Sequence, residues 1–394
     1  MSRGAPLPFR CLRHTLEATA RSVGDTRHRR RRVLTSVSAT IRTASLTTVF
    51  FLKVLPMLPS GALNRITPRP LIERVSYPTR HGTAVGDLYR PDTRGPHPGM
   101  VICLGVVPFG VDHPQVARLG EALARSGFAA LLYWSPAMRD RRLDPQDIDD
   151  IALATDWLLG QLYVDADRSG LIGTCVGGSF ALMAAAHPLI RDRVRFVAAF
   201  APYASMSTLA VAIASSTRST NGHREPWQVD PLTRAVYVRS LTATLEPHEA
   251  EFLRSVPGDE HDLTNNHGLS EDARVIRLLL GTLPTNDAEA ALRRLSGALH
   301  EHLERMSPIT YLDDIRAPLI VIGHDRDDTV IPVAESRHLF AALSGRAGVH
   351  YTEFGMFQHA DPTKRRLPPL RRLCEFSKFY LFAYPLFRQA VNGS

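Results

Sequence analysis

The chain has 394 residues, of which 44% are hydrophobic and 22% are charged; this balance excludes a largely disordered protein and supplies a sizeable core. The net charge of +8 suggests nucleic acid as a partner. However, the basic residues are concentrated in Arg27–Arg32, Lys364–Arg366 and the Arg371-Arg372 pair, and no known nucleic-acid-binding module is visible, so we expect no nucleic-acid partner.

Cysteine usage indicates a reduced protein. The four cysteines are Cys11, Cys103, Cys175 and Cys374. They form no C-x-x-C pair and no spacing typical of a metal site, so we predict no metal, and a disulfide framework is not expected in a domain of this size. No nucleotide-binding glycine loop or cofactor lysine setting stands out either, so we predict no cofactor. A cytoplasmic location suits a working thiol. Cys103 lies in an apolar run, and we expect it to be a core residue.

Residues 1–69 form a basic N-terminal extension. Its apolar part, Val33–Leu58, contains Arg42 and Lys53, and its uninterrupted apolar run is shorter than the roughly 20 residues that a membrane-spanning helix needs. The spacing predicts an amphipathic helix with one face formed by Ile41, Ser45, Val49, Leu52 and Leu55. Three alternatives follow, namely packing on the main domain, peripheral contact with a membrane surface, and export.

From residue 70 onward, apolar strands alternate with helices. The predicted strands are Leu71–Tyr77, Ala84–Tyr89, Gly99–Gly105, Ala129–Trp134 and Phe196–Phe200. The predicted helices between them are Pro114–Ser126 and Asp144–Gln161. This alternation predicts a doubly wound, mostly parallel α/β sheet that opens with a hairpin.

The segment Arg168–Ala186 reads RSGLIGTCVGGSFALMAAA, which is a short strand, a glycine-rich turn and a helix. This is the pattern of a nucleophile elbow, with Cys175 in the nucleophile position. Gly173 and Gly177 relieve the steric crowding of so sharp a turn. The N-terminus of the following helix favours a thiolate at Cys175.

About a hundred residues, 205–306, separate two core strands where a short crossover would suffice. Their pattern predicts helices at Glu246–Arg254, Glu271–Leu280 and Asp287–Met306, and polar loops at Ser215–Glu225 and Pro257–Gly268. We expect a helical cap inserted over the active site. The alternative is a helical insert or an oligomer surface without a role in catalysis.

The last third of the chain supplies an acid and a histidine. Pro318–Pro332 reads PLIVIGHDRDDTVIP, a buried strand followed by an acidic turn. The candidate acid is Asp328, at the start of the spacing D-T-V-I-P that ends in an apolar-Pro pair, and Asp327 is the second choice. We expect Asp325 to be a turn residue and His324 to be exposed.

Residues 349–362 read VHYTEFGMFQHADP, which is a late strand followed by a loop that carries His359. The chain order is therefore Cys175, then Asp327 or Asp328, then His359. That order of nucleophile, acid and histidine is the order of an α/β-hydrolase triad.

These motifs resemble the α/β-hydrolase superfamily, and the elbow G-T-C-V-G-G is most similar to the dienelactone hydrolase family. The resemblance covers about residues 70–205 and 308–385. It implies a core of residues 70–204 and 307–394, interrupted by the insertion. It also implies Cys175 as nucleophile, His359 as general base and acid, and Asp328 as the residue that orients the imidazole. The large insertion departs from a minimal dienelactone hydrolase and leaves the substrate open.

The oxyanion hole is expected to use backbone N–H groups. One comes from Val176, which follows the nucleophile, and the other from Val106 or Val107 in the loop that begins at Gly105. Many superfamily members have His-Gly at the start of this loop, where this chain has Leu104-Gly105.

The sequence thus predicts a hydrolase of esters, lactones or thioesters that acts on a small-molecule acyl substrate. Two alternatives remain, an acyltransferase that uses the same acyl-cysteine and a non-catalytic binding protein that keeps the fold. The oligomeric state stays open.

Overall fold

The computed structural model describes residues 37–107, 113–220, 222–255, 268–359 and 367–392. Cys11, both longer basic runs and nearly all of the predicted loop at 257–268 lie outside these residues. Between them, the described segments contain the predicted elbow, the acid loop and His359.

Eight strands form one sheet in the order β1-β2-β4-β3-β5-β6-β9-β10. The strands are β1 (Pro70–Thr79), β2 (Gly82–Pro91), β3 (His97–Cys103), β4 (Ala129–Tyr133), β5 (Val164–Thr174), β6 (Phe196–Phe200), β9 (Leu319–Asp325) and β10 (Val349–Phe354). The hairpin β1-β2 and the pair β2-β4 are antiparallel, and all other neighbours are parallel. A separate two-stranded hairpin consists of β7 (Thr217–Thr220) and β8 (His223–Pro226). The predicted fold class is confirmed.

Thirteen helices occur in the described part of the chain. They are α1 (37–54), α2 (Pro114–Arg125), α3 (Pro136–Arg139), α4 (Asp147–Leu159), α5 (Val176–Ala185), α6 (Met206–Ser215), α7 (Pro231–Leu241), α8 (Pro247–Ser255), α9 (Glu271–Leu280), α10 (Thr285–Leu292), α11 (Gly297–Arg305), α12 (Val333–Ala342) and α13 (Pro369–Asn392). In none of these helices is the sequence both long enough and apolar enough to cross a membrane.

Helices cover both faces of the sheet and create two hydrophobic cores. Because side chains alternate along a strand, Leu171 and Val197 point into one core, which α4, α5 and the insertion complete. Ile172 and Ala198 point into the other, which α1, α2 and α13 complete. Strands buried on both faces explain the continuous apolar runs of the sequence.

The N-terminal helix α1 packs on α13. This is the arrangement that the first of the three alternatives, packing on the main domain, predicts. The Phe50 and Phe387 rings have their centroids 5.4 Å apart. The predicted face is wrong in its first half, since Ile41 is 62% exposed and Ser45 is exposed whereas Thr43 and Thr47 are buried. Its last residue, Leu55, is buried as predicted. Each threonine hydroxyl donates to the carbonyl four residues earlier, so a polar side chain can lie on the buried face.

The insertion between β6 and β9 is mainly helical, with two differences from the prediction. The segment Ser215–Glu225, predicted as a loop, contains most of the hairpin β7-β8, in which Arg218 pairs with Glu225 across the strands. The helix predicted at Asp287–Met306 is two helices, α10 and α11. It breaks because the Ser296 hydroxyl accepts a hydrogen bond from the Leu299 N–H and caps α11.

Candidate active site

The turn between β5 and α5 holds Cys175 in a strained backbone conformation, with φ 56° and ψ −140°. Positive φ is rare for a residue with a side chain and marks positions where the surroundings impose the geometry. The Cys175 N–H donates to the Phe200 carbonyl of the neighbouring strand at 2.8 Å, which anchors the turn to the sheet. The Cys175 side chain packs against the core on the insertion side.

Three glycines make this turn possible. A Cβ at Gly173 would lie 2.2 Å from the Gly177 carbonyl oxygen, and a Cβ at Gly177 would lie 2.2 Å from the Cys103 carbonyl oxygen. A Cβ at Gly105 would lie 2.8 Å from the Cβ of Cys175. The helix α5 can therefore approach the ends of β3 and β5 only because these side chains are absent.

His359 and Asp328 lie on the loops that follow β10 and β9. The His359 Nδ1–H donates to Asp328 Oδ2 at 2.8 Å. Asp328 Oδ1 accepts the backbone N–H groups of Val330 and Ile331 at 2.7 and 3.0 Å, so the carboxylate is fixed on both sides. The neighbouring Asp327 donates its N–H to Asp325, and the acid that contacts His359 is Asp328.

The electrostatics of this group favour a carboxylate beside an imidazolium. Burial opposes the ionisation of Asp328, but the charge of His359 and hydrogen bonds from His324 and His359 outweigh it, so the pKa of Asp328 is lowered. Burial likewise acts to lower the pKa of His359. The negative charges of Cys175 and Asp328, and a hydrogen bond to each, raise the pKa well above its ordinary value.

His324 is buried, and the prediction that it is exposed is wrong. It is the penultimate residue of β9, inside the sheet rather than on the turn after it. Its Nε2–H donates to the Ile331 carbonyl at 2.9 Å and lies 3.3 Å from Asp328 Oδ2. Its Nδ1 is 2.6 Å from Ser336 Oγ. Asp328 therefore lies between two histidines.

Asp325, expected to be a turn residue, has a second role. Its Oδ1 accepts the Asp327 N–H at 3.0 Å and its Oδ2 accepts the Phe357 N–H at 2.6 Å. One buried carboxylate thus joins the acid loop to the loop that carries His359. No periodicity in the sequence signals this link between residues that are 32 positions apart.

The expected oxyanion donors lie beside Cys175. Val176 is the first residue of α5. Its N–H is one of the first four in the helix, and these have no carbonyl acceptor within the helix. Val106, Val176 and Cys175 line one small cavity of about 40 Å³. Val107 lines a different cavity. Residues 108–112 of this loop lie outside the described residues.

The insertion forms most of the wall of the cavity at Cys175. The apolar contributors from α6 and α7 are Met206, Leu209, Ile213, Leu232, Val236 and Tyr237. The insertion also holds the acid loop, since Trp227 Nε1 donates to the Thr329 carbonyl at 3.1 Å and the Thr233 hydroxyl donates to the Val330 carbonyl at 3.1 Å. The site is therefore apolar beside the Cys175 thiol and polar at Asp328 and His359.

The other described cysteines have different environments. Cys103 is fully buried in β3, and burial raises the pKa of its thiol. Cys374 is exposed on α13. Across the described ranges, no group of three or more histidine, cysteine, aspartate or glutamate side chains is arranged to hold a metal ion.

Comparisons with known proteins place this site in context. No protein-family model matches the chain. A protein of Bradyrhizobium sp. described as a "probable 2-oxo-3-(5-oxofuran-2-ylidene)propanoate lactonase" is 31% identical over 124 residues, which cover 28% of this chain and 49% of that protein. The chain thus spans about half the length of the curated relative.

Among solved structures, an acylaminoacyl peptidase in complex with Z-Gly-Gly-Phe-chloromethyl ketone matches with a TM-score of 0.51 at 14% identity, covering 82% of this chain and 43% of that one. The Pyrococcus horikoshii acylaminoacyl peptidase matches with a TM-score of 0.50 and the same identity and coverage. Together with the sheet order, these similarities show that the chain has the α/β-hydrolase fold.

Proposed function

We propose that this protein is a hydrolase that cleaves an ester, lactone or thioester bond through an acyl-enzyme on Cys175. His359 is its general base and acid, and Asp328 orients the imidazole. The observation that supports this proposal is the 2.8 Å hydrogen bond between His359 Nδ1 and Asp328 Oδ2, with Cys175 close enough to His359 to raise the pKa of the imidazole. The three residues follow β5, β10 and β9, whose carboxyl ends meet at one edge of the sheet.

The geometry suggests how the bond is cleaved. Because Nδ1 of His359 is bonded to Asp328, Nε2 is the nitrogen left to exchange a proton with Cys175. The thiolate attacks the carbonyl carbon, and the resulting oxyanion accepts hydrogen bonds from the N–H groups of Val176 and Val106. Collapse of this intermediate breaks the bond to the leaving group, which takes a proton from His359 Nε2.

The second half of the reaction, hydrolysis of the acyl-enzyme, returns the protein to its starting state. Nε2 of His359 removes a proton from water, which attacks the acyl-cysteine carbonyl. The C–S bond then breaks, the acid product leaves, and the thiolate and imidazolium are restored. Asp328 keeps its charge throughout and stabilises the cation on His359.

The walls of the cavity at Cys175 favour an apolar acyl group over a charged one, because the side chains of α6 and α7 that face it are apolar. The similarity to a protein described as a lactonase supports a lactone as one form of the substrate. In a lactone the leaving oxygen stays attached to the acyl group, so hydrolysis would release a single hydroxy acid.

Intact-protein mass spectrometry after brief exposure to p-nitrophenyl esters of graded acyl length tests this proposal. We expect a transient mass increase on Cys175 that decays in the unmodified protein and persists in His359→Ala. Cys374→Ser, which removes an exposed thiol, is the matched control and should form the adduct normally. A Cys175→Ala protein with unchanged turnover, or no adduct at any length, would contradict the proposal and favour a binding protein.

A second candidate function is that of an acyltransferase. Apolar side chains of the insertion line the cavity at Cys175 and disfavour water there, which supports this candidate. The same acyl-enzyme would then pass to an amine or alcohol. Adding such acceptors to the reaction and analysing the products distinguishes the two functions. If the acceptors leave the products unchanged, transfer is excluded and hydrolysis stands.

A further inference from the structure

A second cavity, of about 240 Å³, lies on the opposite face of the sheet from the Cys175 side chain. The residues of α1, α2 and α13 that line it are almost all apolar, and they include Phe50, Val54, Val116, Leu123, Phe382 and Phe387. Its floor is the sheet face that carries Ile172 and Ala198. A dry apolar cavity of about 150 Å³ already binds benzene, so this one has room for more carbon atoms than a single ring provides.

This cavity is separate from the one at Cys175. Among the described residues, no side chain lines both cavities. The two nevertheless meet at the backbone, because Thr174, which precedes Cys175, and Phe357, two residues before His359, line the larger cavity. A ligand there would lie behind the catalytic residues and not among them.

One cation, Arg118, lines the larger cavity, and two more, Lys53 and Arg125, lie near it. Arg118 of α2 lines it beside Gln115, which is exposed and marks the side open to solvent. Lys53 of α1 stands next to the lining residue Val54 and bonds Asn64. Burial is the main reason that the pKa of Lys53 is lowered, and the nearby charges of Arg125 and Arg118 add to it.

The charge balance at this end is positive. Glu121 lies close enough to raise the pKa of Lys53 in part, but one carboxylate stands against the three cations Lys53, Arg118 and Arg125. An apolar interior with a cationic mouth is complementary to a molecule with a hydrocarbon chain and a single anionic head.

We propose that this cavity binds one long-chain carboxylate, a free fatty acid, with its chain among α1, α2 and α13 and its head at Arg118 and Lys53. The proposal does not rest on the hydrolase function, because no residue of the triad contacts the ligand. The binding site joins α1, from the N-terminal extension, to α13, at the other end of the described chain.

Displacement of the fluorescent fatty acid cis-parinaric acid by laurate and by dodecanol tests the proposal on the full-length protein. We expect saturable binding of the probe, displacement by laurate, and weaker displacement by dodecanol, which lacks the charge. Arg118→Gln should weaken laurate binding about tenfold, or about 1.4 kcal/mol, and change dodecanol binding little, since only laurate loses a charged partner.

Two matched tryptophan substitutions locate the chain. Val54→Trp fills the larger cavity from α1 and should abolish probe binding, whereas Val236→Trp fills the cavity at Cys175 and should leave it intact. Ala383→Leu fills the larger cavity from α13 and replaces Val54→Trp if that variant unfolds. Absence of saturable binding, or loss of binding in Val236→Trp alone, would overturn the proposal. Equal affinity for laurate and dodecanol would overturn the assigned role of the cations.

Discussion

Asp328 is fully buried, and two histidines and two backbone N–H groups surround its carboxylate. Without these contacts burial would raise its pKa, so the contacts are the reason it stays ionised. In turn its charge contributes to the raised pKa of His359. The state of His359 therefore depends on Asp328 through one hydrogen bond and through charge.

If Asp328 orients His359 as proposed, Asp328→Asn should lower the pKa of His359 and reduce kcat by about 10³–10⁴-fold, near the loss that the same change causes in a Ser-His-Asp triad. The pKa falls because the neutral amide no longer stabilises the imidazolium. Histidine NMR titration measures the pKa, and turnover of a p-nitrophenyl ester measures the rate. Asp327→Asn is the matched control, one residue away, and should behave like the unmodified protein. Equal effects of both substitutions would contradict the assignment of Asp328.

In the proposed triad, His324 is a positioning residue that acts through Asp328. Its hydrogen bond lowers the pKa of Asp328, so His324→Phe should raise that pKa and move the acidic limb of the pH–rate profile to higher pH. His324→Gln keeps an N–H at the Nε2 position and should show a smaller shift. A loss of thermal stability with an unshifted profile would mean that His324 serves the fold alone.

At the site, sequence reasoning could reach those residues whose chemistry leaves a local pattern. Gly173, Gly177 and Cys175 stand within five positions, so the elbow could be predicted from one stretch of sequence. The choice between Asp327 and Asp328 could not, since both fit the same turn and only the fold shows which carboxylate faces His359. His324 was missed because its burial depends on α12, which follows the acid loop.

The secondary-structure elements, like the site residues, could be predicted only where the sequence has a local pattern. The central strands β3, β4, β6 and β9 could be predicted because both of their faces are buried and apolar. The hairpin β7-β8 consists of Thr, Ser, Arg, His, Glu and Pro residues, a composition typical of a loop. The Asn221-Gly222 pair in the sequence is a hairpin signal that could have revealed it. The predicted start of α4 at Asp144 is three residues early, because Asp144 Oδ1 accepts the Gln146 N–H and closes a turn first.

The first residue of α4, Asp147, gives this helix a pH dependence. Burial raises the pKa of its carboxyl from 3.8 to about 6, and hydrogen bonds from Ser135 and Tyr133 only partly offset burial. The folded protein therefore holds this proton more tightly than the unfolded chain does. The resulting stabilisation is present below about pH 4 and is lost as the pH rises through about 6.

Asp147→Asn should therefore stabilise the protein at pH 8 by up to about 3 kcal/mol, since each pKa unit corresponds to about 1.4 kcal/mol. Near pH 4 the gain should vanish, because the native carboxyl is then neutral as well. Denaturant unfolding at both pH values measures the difference. Asp149→Asn, on the same helix but more exposed and paired with Arg80, should give no gain at either pH. A gain for Asp147→Asn that is the same at both pH values would contradict this explanation.

For the whole molecule, the alternation of strands and helices predicted the sheet, and the length of the insertion predicted a cap. Which apolar side chains face Cys175 could not be predicted, because α6 and α7 are buried by the core and by each other as well as by the cavity. The larger cavity behind the sheet left no trace in the sequence either, since its walls come from α1, α2 and α13 and read as ordinary core.

The size of the cavity at Cys175 limits the acyl group that the proposed hydrolase accepts. About 40 Å³ leaves little space for a chain, and Ile213 of α6 forms part of the wall. Ile213→Ala removes three carbon atoms there and should increase the kcat/KM for longer p-nitrophenyl esters at least about tenfold relative to the acetate, because each methylene in a pocket is worth about 1–3 kcal/mol.

Ile276→Ala is the matched control, since this isoleucine of α9 is also fully buried in the insertion but does not line the cavity. Both substitutions should cost about 2–5 kcal/mol of stability, so loss of folding affects them alike. Steady-state kinetics across ester chain lengths, measured well below either unfolding temperature, should show a changed preference in Ile213→Ala alone. If the two variants show the same dependence of kcat/KM on ester chain length, Ile213 does not determine the acyl specificity. The acyl group then does not occupy the cavity that Ile213 lines.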